Sequence, residues 1–202
     1  MKIGPKYKIA RRLGAAVFEK TQTAKFALSQ QKRGRNSMRR RPSSVYGTQL
    51  IEKQKVRFTY GLSEKQFSKY VKNAIDSQGT NTIEVLFQSL ESRLDSFVLR
   101  AGFANSRSLA RQIVSHGHMK VNGVRVNVPS YRVKKGDVIT VKESSTDKVL
   151  FQNLEDLAGE RTIPAWIEVD LAKKMITAKA EPTFDEKSLA FDLATVVQFY
   201  KR

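Results

Sequence analysis

Four arginines in the middle of this chain lie at helical spacing and are of a type that binds phosphate groups. Arg93 and Arg100 are seven residues apart, and Arg107 and Arg111 are four apart, so each pair should share one helix face. A guanidinium offers several N–H donors in a planar fork that matches a phosphate. Two antiparallel helices could therefore present four guanidiniums on one surface, which would suit a nucleic-acid backbone.

The neighbouring residues predict the helices that would position these arginines. Ser106 is a suitable N-cap for the second helix. The apolar positions expected to face inward are Leu94, Phe97, Val98, Leu109, Ala110 and Ile113. Each arginine taken alone could be a solvated surface charge. Their co-occurrence on adjacent elements favours a binding surface.

A β-hairpin is predicted next, because Asn122-Gly123 separates two strand-like runs, Met119–Val121 and Val124–Val128. Valines alternate with polar residues in the second run. We therefore expect the valines to pack inward and the polar side chains to face solvent or RNA. A closing strand is expected at 138–141.

The rest of the chain reads as mainly helical. Periodicity and capping signals predict helices at 49–59, from the Ser63–Gln66 capping box, from a Thr82 cap and at 188–200, with strands at 164–169 and 175–180. The predicted class is α+β, with an α-rich discontinuous domain (46–91 plus 149–202). Inserted in it is a small α+β RNA-binding module (92–148) of two helices and a short antiparallel sheet. A basic extended N-terminal arm (1–45) precedes both.

The charge distribution points to a polyanionic partner. The 202 residues contain 37 Lys and Arg against 19 Asp and Glu, a net charge of +18. Residues 1–72 hold 19 basic and 3 acidic side chains, and residues 93–148 hold 11 and 4. Residues 149–202 hold 7 and 9. The positive charge is therefore concentrated in the arm and the module.

Sites of other kinds are not indicated, so we expect no enzyme, cofactor or metal. The chain has no cysteine, which rules out disulfides and thiolate zinc sites. It contains neither a GxxxxGK[ST] phosphate loop nor a GxSxG elbow. His116 and His118 lack a third ligand and fit a structural or RNA-contact role. Asp95 and Asp137 fit ion-pair or turn roles.

Targeting signals are also weak. No apolar run reaches the roughly 18 residues of a membrane span. The N-terminus lacks the apolar core of a secretory signal. Its basic, acid-poor composition has some likeness to an organellar presequence, but it equally suits an RNA-binding arm, which we favour. We expect the protein to be located in the cytoplasm rather than in an organelle.

Four segments together resemble one family. They are GPKYKIARRLG at 4–14, YGTQLIEKQKVRFTYGLSEKQF at 46–67, ESRLDSFVLRAGFANSRSLARQIVSHGHMKVNGVRVNVPSYRVKKGDVITV at 91–141 and PAWIEVD at 164–170. In this order they look like the S-four family of bacterial-type small-subunit ribosomal proteins, over nearly the whole chain. The 46–67 block is specific to that family rather than to its RNA-binding module.

The resemblance implies a structural constituent of the small ribosomal subunit. Such proteins bind the 5′ domain of small-subunit rRNA and nucleate subunit assembly. They also contact the neighbouring S-five protein, contribute to translational accuracy and line the mRNA entry channel. Arg39, Arg40 and Arg41 fall where family members place basic residues near that channel.

Residues and resemblance together give a set of predicted RNA-binding side chains. They are Lys6, Lys8, Arg11, Arg12, Arg39, Arg40, Arg41, Lys53, Lys55, Arg57, Arg93, Arg100, Arg107, Arg111, His116, His118, Lys120, Asn122, Arg125, Tyr131, Arg132 and Lys134.

The chain departs from the family in two places. Zinc-binding cysteines found near the N-terminus of some members are absent, and residues 29–35 replace a common Pro-Gly-Gln-His-Gly turn. Two other classes also use such a module. RNA-modifying enzymes such as pseudouridine synthases need a catalytic domain larger than the remaining residues supply. A stand-alone RNA chaperone would need only the module and a tail, whereas the 46–67 block and the C-terminal part match as well.

Overall fold

A computed structural model describes residues 3–34, 44–77, 81–152, 154, 162–185 and 189–201. The chain forms two compact units, residues 1–83 with 185–202 and residues 84–184. The helices are α1 Lys6–Leu13, α2 Ala24–Gly34, α3 Val45–Thr59, α4 Glu64–Asp76, α5 Thr82–Glu91, α6 Leu94–Arg100, α7 Arg107–Ser115 and α8 Leu193–Tyr200. The strands are β1 Met119–Val121, β2 Val124–Val126, β3 Val138–Val141, β4 Ile167–Asp170 and β5 Met175–Ala178. The predicted α+β class is confirmed.

The first unit is helical, and local signals fix where its helices begin. Ser63 Oγ accepts a hydrogen bond from Gln66 N at 3.3 Å, which starts α4 where the capping pattern predicted. The apolar stripe of α4, Phe67, Val71 and Ala74, is fully buried. α8 packs against both α3 and α4.

Two aromatic side chains of α8 contact an ion pair between α3 and α4. Lys53 Nζ lies 2.9 Å from Glu64 Oε1, and Tyr200 donates its hydroxyl to the same carboxylate oxygen at 2.7 Å. Lys53 also lies 4.7 Å from the centroid of the Phe199 ring, a cation–π distance. The C-terminal helix is thus held by polar as well as apolar contacts.

Part of the predicted extended arm is helical. α1 and α2 fall within it, and Ala10, Phe18 and Phe26 form a small core against which Phe58 of α3 packs. These apolar residues lie on separate short elements, so no single run of the sequence shows the pattern. The arginine-rich run at 35–43 lies outside the described residues.

The second unit is built on a five-stranded antiparallel sheet with strand order β2-β1-β3-β5-β4. The predicted hairpin is confirmed, because Asn122 and Gly123 have φ values of 49° and 81°, the left-handed conformations of a type I′ turn. One sheet face contributes Met119, Val121, Ile139 and Ile176 to a core shared with α6 and α7.

The sheet divides the chain differently from the predicted domains. β3 pairs with β5, with Ile139 opposite Ile176, so β4 and β5 complete the sheet that the hairpin begins. Residues 149–184 therefore lie in the same compact unit as the predicted RNA-binding module, whereas the sequence pattern predicts them in the α-rich domain. Pairing between distant strands leaves no local trace in a sequence, which explains the difference.

The expectation that all three valines of the second hairpin strand pack inward is wrong. Only Val126 packs against the core, whereas Val124 is 68% exposed and Val128 is 50% exposed. β2 is an edge strand of three residues of which only Val126 is partly buried, and Val128 lies beyond its end.

Two predicted helix boundaries also shift. Asn81 Oδ1 accepts a hydrogen bond from Ile83 N, so Thr82 is the first residue of α5 and not its cap. The α5 helix then ends at Glu91, and Arg93 has extended backbone angles and bridges to Arg132. Arg93 thus lies outside a helix and cannot share a helix face with Arg100. Among the described residues, no helix is long and apolar enough to cross a membrane.

Glu64 should make the stability of the protein depend on acid pH. Burial raises the pKa of Glu64, but hydrogen bonds from Lys53 and Tyr200 and the charges of Lys53 and Arg57 outweigh burial and hold it below its ordinary 4.5. Its contribution to stability is therefore complete above pH 4.5 and is lost as the pH falls through the lowered pKa. We expect Glu64→Gln to destabilise the protein at pH 7 and to match the parent at the acid end of a urea-unfolding series.

Asp76→Asn provides the control, because Asp76 is an exposed carboxylate at the other end of the same helix. This control should leave unfolding at pH 7 nearly unchanged. An equal loss of stability in Glu64→Gln at every pH would contradict an electrostatic role for Glu64.

Candidate nucleic-acid interface

A buried carboxylate at Asp95 holds two of the four arginines predicted to bind phosphate. Arg93 donates from Nε to Oδ1 at 2.9 Å and from Nη2 to Oδ2 at 2.8 Å, a bidentate pair. Arg111 donates from Nε and Nη2 to Oδ2 at 3.0 and 2.9 Å. Asp95 is 5% exposed, so its carboxylate meets these partners largely away from bulk solvent. Its predicted ion-pair role is confirmed.

A second buried carboxylate, Glu91, holds the other two arginines. Arg100 forms a bidentate pair with it at 3.0 and 2.8 Å. Arg107 Nη2 lies 3.5 Å from the same carboxylate, while Arg107 Nη1 donates to Ser96 Oγ at 3.0 Å. The Glu91 side chain is 0% exposed. Thus Glu91, at the end of α5, joins arginines from both α6 and α7.

The four arginines are brought together around two buried acids and not on one open surface, and their exposure is unequal. The Arg93 side chain is 3% exposed, so we no longer propose it as an RNA contact. Those of Arg100, Arg107 and Arg111 are 34%, 16% and 30% exposed, which leaves part of each at the surface.

The outer face of the sheet carries two more of the predicted cations. Lys120 on β1 pairs in register with Arg125 on β2, so both side chains lie on the face opposite the core. Lys120 contacts the exposed Glu143 at 2.8 Å, and Arg125 Nη2 donates to the His116 carbonyl at 3.3 Å. Arg125 also lies directly over Gly117, where a Cβ atom would come within 2.2 Å of its Nε. Glycine at this position lets the guanidinium lie close against the end of α7.

The two histidines lie in a cationic neighbourhood. Their rings are 6.1 Å apart, and His118 Nδ1 lies 2.9 Å from Ser145 Oγ. Burial lowers the pKa of His118, and the charges of Lys148, His116, Arg125 and Lys142 lower it further. Within the described ranges, no group of three His, Cys, Asp or Glu side chains could hold a metal ion.

The loop side chains predicted to bind RNA divide into structural and outward-facing ones. Asn122 donates to Asp137 Oδ1 at 2.9 Å and accepts from Val138 N at 2.9 Å, so both ends of its amide hold the turn. Asp137 also accepts from Lys134 N, which confirms its predicted turn role. Tyr131, Arg132 and Lys134 are exposed.

The predicted cations of the helical unit are similarly mixed. Lys8 and Arg12 are exposed on α1. Lys6 and Arg11 lie over the rings of Phe18 and Phe26, each 5.7 Å from the centroid.

On α3, the three predicted cations have internal partners. Lys53 is 7% exposed in its pair with Glu64, so we no longer propose it as an RNA contact. Lys55 pairs with Glu52, and Arg57 lies over the Phe58 ring. Arg39, Arg40 and Arg41 lie outside the described residues.

Several contributors were missing from the predicted set. Glu91 and Ser96 organise the arginines, Gly117 makes room for Arg125, and Lys142 and Lys148 add charge beside His118. One signal in the sequence could have revealed Glu91. It is an acid at the end of the apolar stripe of α5, in a segment where arginines recur.

Known proteins match the chain over nearly its full length. The family model described as "Ribosomal protein S4/S9 N-terminal domain" matches residues 1–91, and that described as "S4 domain" matches residues 92–139. "Small ribosomal subunit protein uS4" of Chromohalobacter salexigens is 45% identical over 203 residues, covering 99% of this chain and 98% of the relative. The proteins of the same name from Mycobacterium ulcerans and Mycobacterium marinum are each 42% identical over 199 residues, covering 98% of both chains. The predicted family is thus confirmed: this chain belongs to the uS4 family of small ribosomal subunit proteins, which are structural and non-enzymatic components of the ribosome.

Proposed function

We propose that this chain binds small-subunit rRNA through the outward-facing cations of its sheet unit. The observation that carries the proposal is that this unit presents two sets of basic side chains: Lys120 and Arg125 on the outer sheet face, and the partly exposed Arg100, Arg107 and Arg111 on α6 and α7. These side chains lie on a packed sheet and on helices that share its core, so their geometry is set before RNA arrives.

Such a surface suits folded RNA. The major groove of an RNA helix is too deep and narrow for side chains, so recognition relies on shape, phosphates and 2′-hydroxyls. Each phosphate neutralised by an arginine or lysine releases counterions, which adds affinity and makes binding sensitive to salt. A rigid cationic face can then select a particular arrangement of phosphates, which a flexible polycation cannot.

Family membership supports finer assignments. We propose that the RNA is the 5′ domain of small-subunit rRNA and that binding nucleates subunit assembly, within ribosomes of the cytoplasm. Contact with the neighbouring S-five protein, a contribution to translational accuracy and a position beside mRNA at the entry channel belong to the same proposal. The 19 basic against 3 acidic side chains in residues 1–72 supply a second polyanion-binding region.

The proposal can be tested by neutralising two exposed cations of the sheet unit, Arg125 on β2 and Lys134 in the loop before β3, with Arg125→Gln and Lys134→Gln combined. We expect weaker binding to a transcript of the 5′ domain, with the slope of log affinity against log salt reduced by about one for each lost phosphate contact. Filter binding across a salt series, with an unrelated structured RNA in parallel, measures both quantities.

Lys173→Gln combined with Lys179→Gln is the matched control. These lysines are 74% and 55% exposed and lie beside β4 and β5. Their substitution removes the same amount of positive charge from the same unit. If both double variants lost the same amount of affinity, the effect would come from net charge alone and not from the position of the cations. Equal binding of the unaltered protein to both RNAs would contradict the proposed rRNA specificity.

Charge reversal at Arg107 and Arg111 would test the fold rather than binding alone. In the double variant Arg107→Glu with Arg111→Glu, each new carboxylate would lie beside buried Glu91 or Asp95. We expect this double reversal to lower the free energy of unfolding by roughly 3 kcal/mol or more.

Urea unfolding measures this effect. Arg107→Gln with Arg111→Gln should be milder, because Arg100 and Arg93 still neutralise the two acids. Unchanged stability of the double reversal would contradict the burial of these pairs.

A further inference from the structure

We propose that Glu91 is a positioning residue for RNA recognition, acting through Arg100 and Arg107. This inference rests on the proposed rRNA-binding function and concerns a residue of charge opposite to that of the binding surface. Glu91 itself is 0% exposed and cannot touch RNA. Its role is to fix where two guanidiniums lie.

The hydrogen-bond geometry supports this role. Glu91 accepts two hydrogen bonds from Arg100, which fixes the plane of that guanidinium, and its Oε1 atom also lies 3.5 Å from Arg107 Nη2. Ser96 Oγ accepts from Arg107 Nη1 and donates to the Leu90 carbonyl at 3.0 Å. Each arginine is therefore held at two points by groups on α5 and α6, while part of its side chain stays at the surface.

Such fixation favours binding because an unrestrained arginine loses rotamer freedom when it meets a phosphate. In this protein that freedom is already lost on folding. Asp95 acts similarly on Arg111, through two hydrogen bonds to a single carboxylate oxygen. The two acids thus hold three partly exposed guanidiniums in a fixed arrangement.

Positioning and net charge predict opposite results when Glu91 is neutralised. Glu91→Gln raises the net charge by one, so a purely electrostatic surface would bind RNA more tightly. Glutamine keeps the volume and one acceptor oxygen, but its NH₂ group cannot accept the second hydrogen bond from Arg100. Positioning therefore predicts weaker binding.

The test is binding of full-length Glu91→Gln to the 5′-domain transcript across a salt series. We expect affinity to fall roughly tenfold, about the cost of immobilising one or two arginine side chains on binding, with a shallower salt slope and a native circular dichroism spectrum. Glu168→Gln is the control, since it adds the same charge on the edge strand β4, where Glu168 is 54% exposed. The control should bind as tightly as the unaltered protein or slightly more tightly.

A double-mutant cycle separates positioning from general destabilisation. In a background of Arg100→Gln with Arg107→Gln, adding Glu91→Gln should cause little further loss of affinity, because the side chains it acts through are gone. A full additional loss would show that Glu91 acts by another route and would overturn the proposal.

Glu91→Asp is a second variant for the case in which Glu91→Gln does not fold. It keeps the charge but shortens the side chain by one methylene, so it should also weaken RNA binding. Binding by Glu91→Gln as tight as that of Glu168→Gln would overturn the inference while leaving the proposed function intact. Loss of folding in both Glu91 variants would overturn it in favour of a purely structural role. If the unaltered protein fails to prefer the 5′ domain over an unrelated RNA, the proposed function itself fails.

Discussion

The burial of two carboxylates among four arginines is the constraint on which the arrangement of α5, α6 and α7 depends. An ionised carboxylate without a partner costs several kcal/mol in a protein interior, so Glu91 and Asp95 require arginines within hydrogen-bond reach. Those arginines come from α6, α7 and the extended residue between α5 and α6. Apolar packing alone would tolerate small rotations of these helices, whereas bidentate pairs do not. The same interactions that orient the helices therefore also orient the cations at their surface.

The five-stranded sheet supplies the rigid support for this charged region. β3 lies at its centre, paired with β1 on one side and with β5 on the other. Through β3, the hairpin that carries Lys120 and Arg125 is continuous with strands more than forty residues further along the chain. Residues 149–202, where acids slightly outnumber bases, thus contribute strands to the unit that carries the basic face. Their role there is to complete the core.

The features that could be predicted from the sequence are those set by neighbouring residues. Ser63 and Ser106 start helices because a side-chain oxygen accepts from an amide three residues later, and Asn122-Gly123 tolerates positive φ values. The features that were predicted wrongly depend on contacts between residues that are far apart in the chain. Arg93 keeps helical spacing to Arg100 but lies in a break that pairs with Arg132, and Val124 alternates correctly but lies beyond the core. The cations of the candidate site could be found in the same way. For Glu91 the sequence offers only its place at the end of the α5 stripe, because its partners are arginines nine and sixteen residues away.

Net charge is consequently a poor guide to which side chains can meet RNA. Arg93, Lys53 and Arg125 each add one positive charge to the net charge. However, the first two are buried in ion pairs, and only the third faces outward. Around Glu91 and Asp95, four positive charges are offset by two negative ones, so the local excess is two. The compensation lowers the long-range attraction of this region for a polyanion. In exchange it fixes the remaining donors in space, and fixed donors distinguish one arrangement of phosphates from another. A protein that must recognise one folded RNA among many gains more from that discrimination than from additional charge.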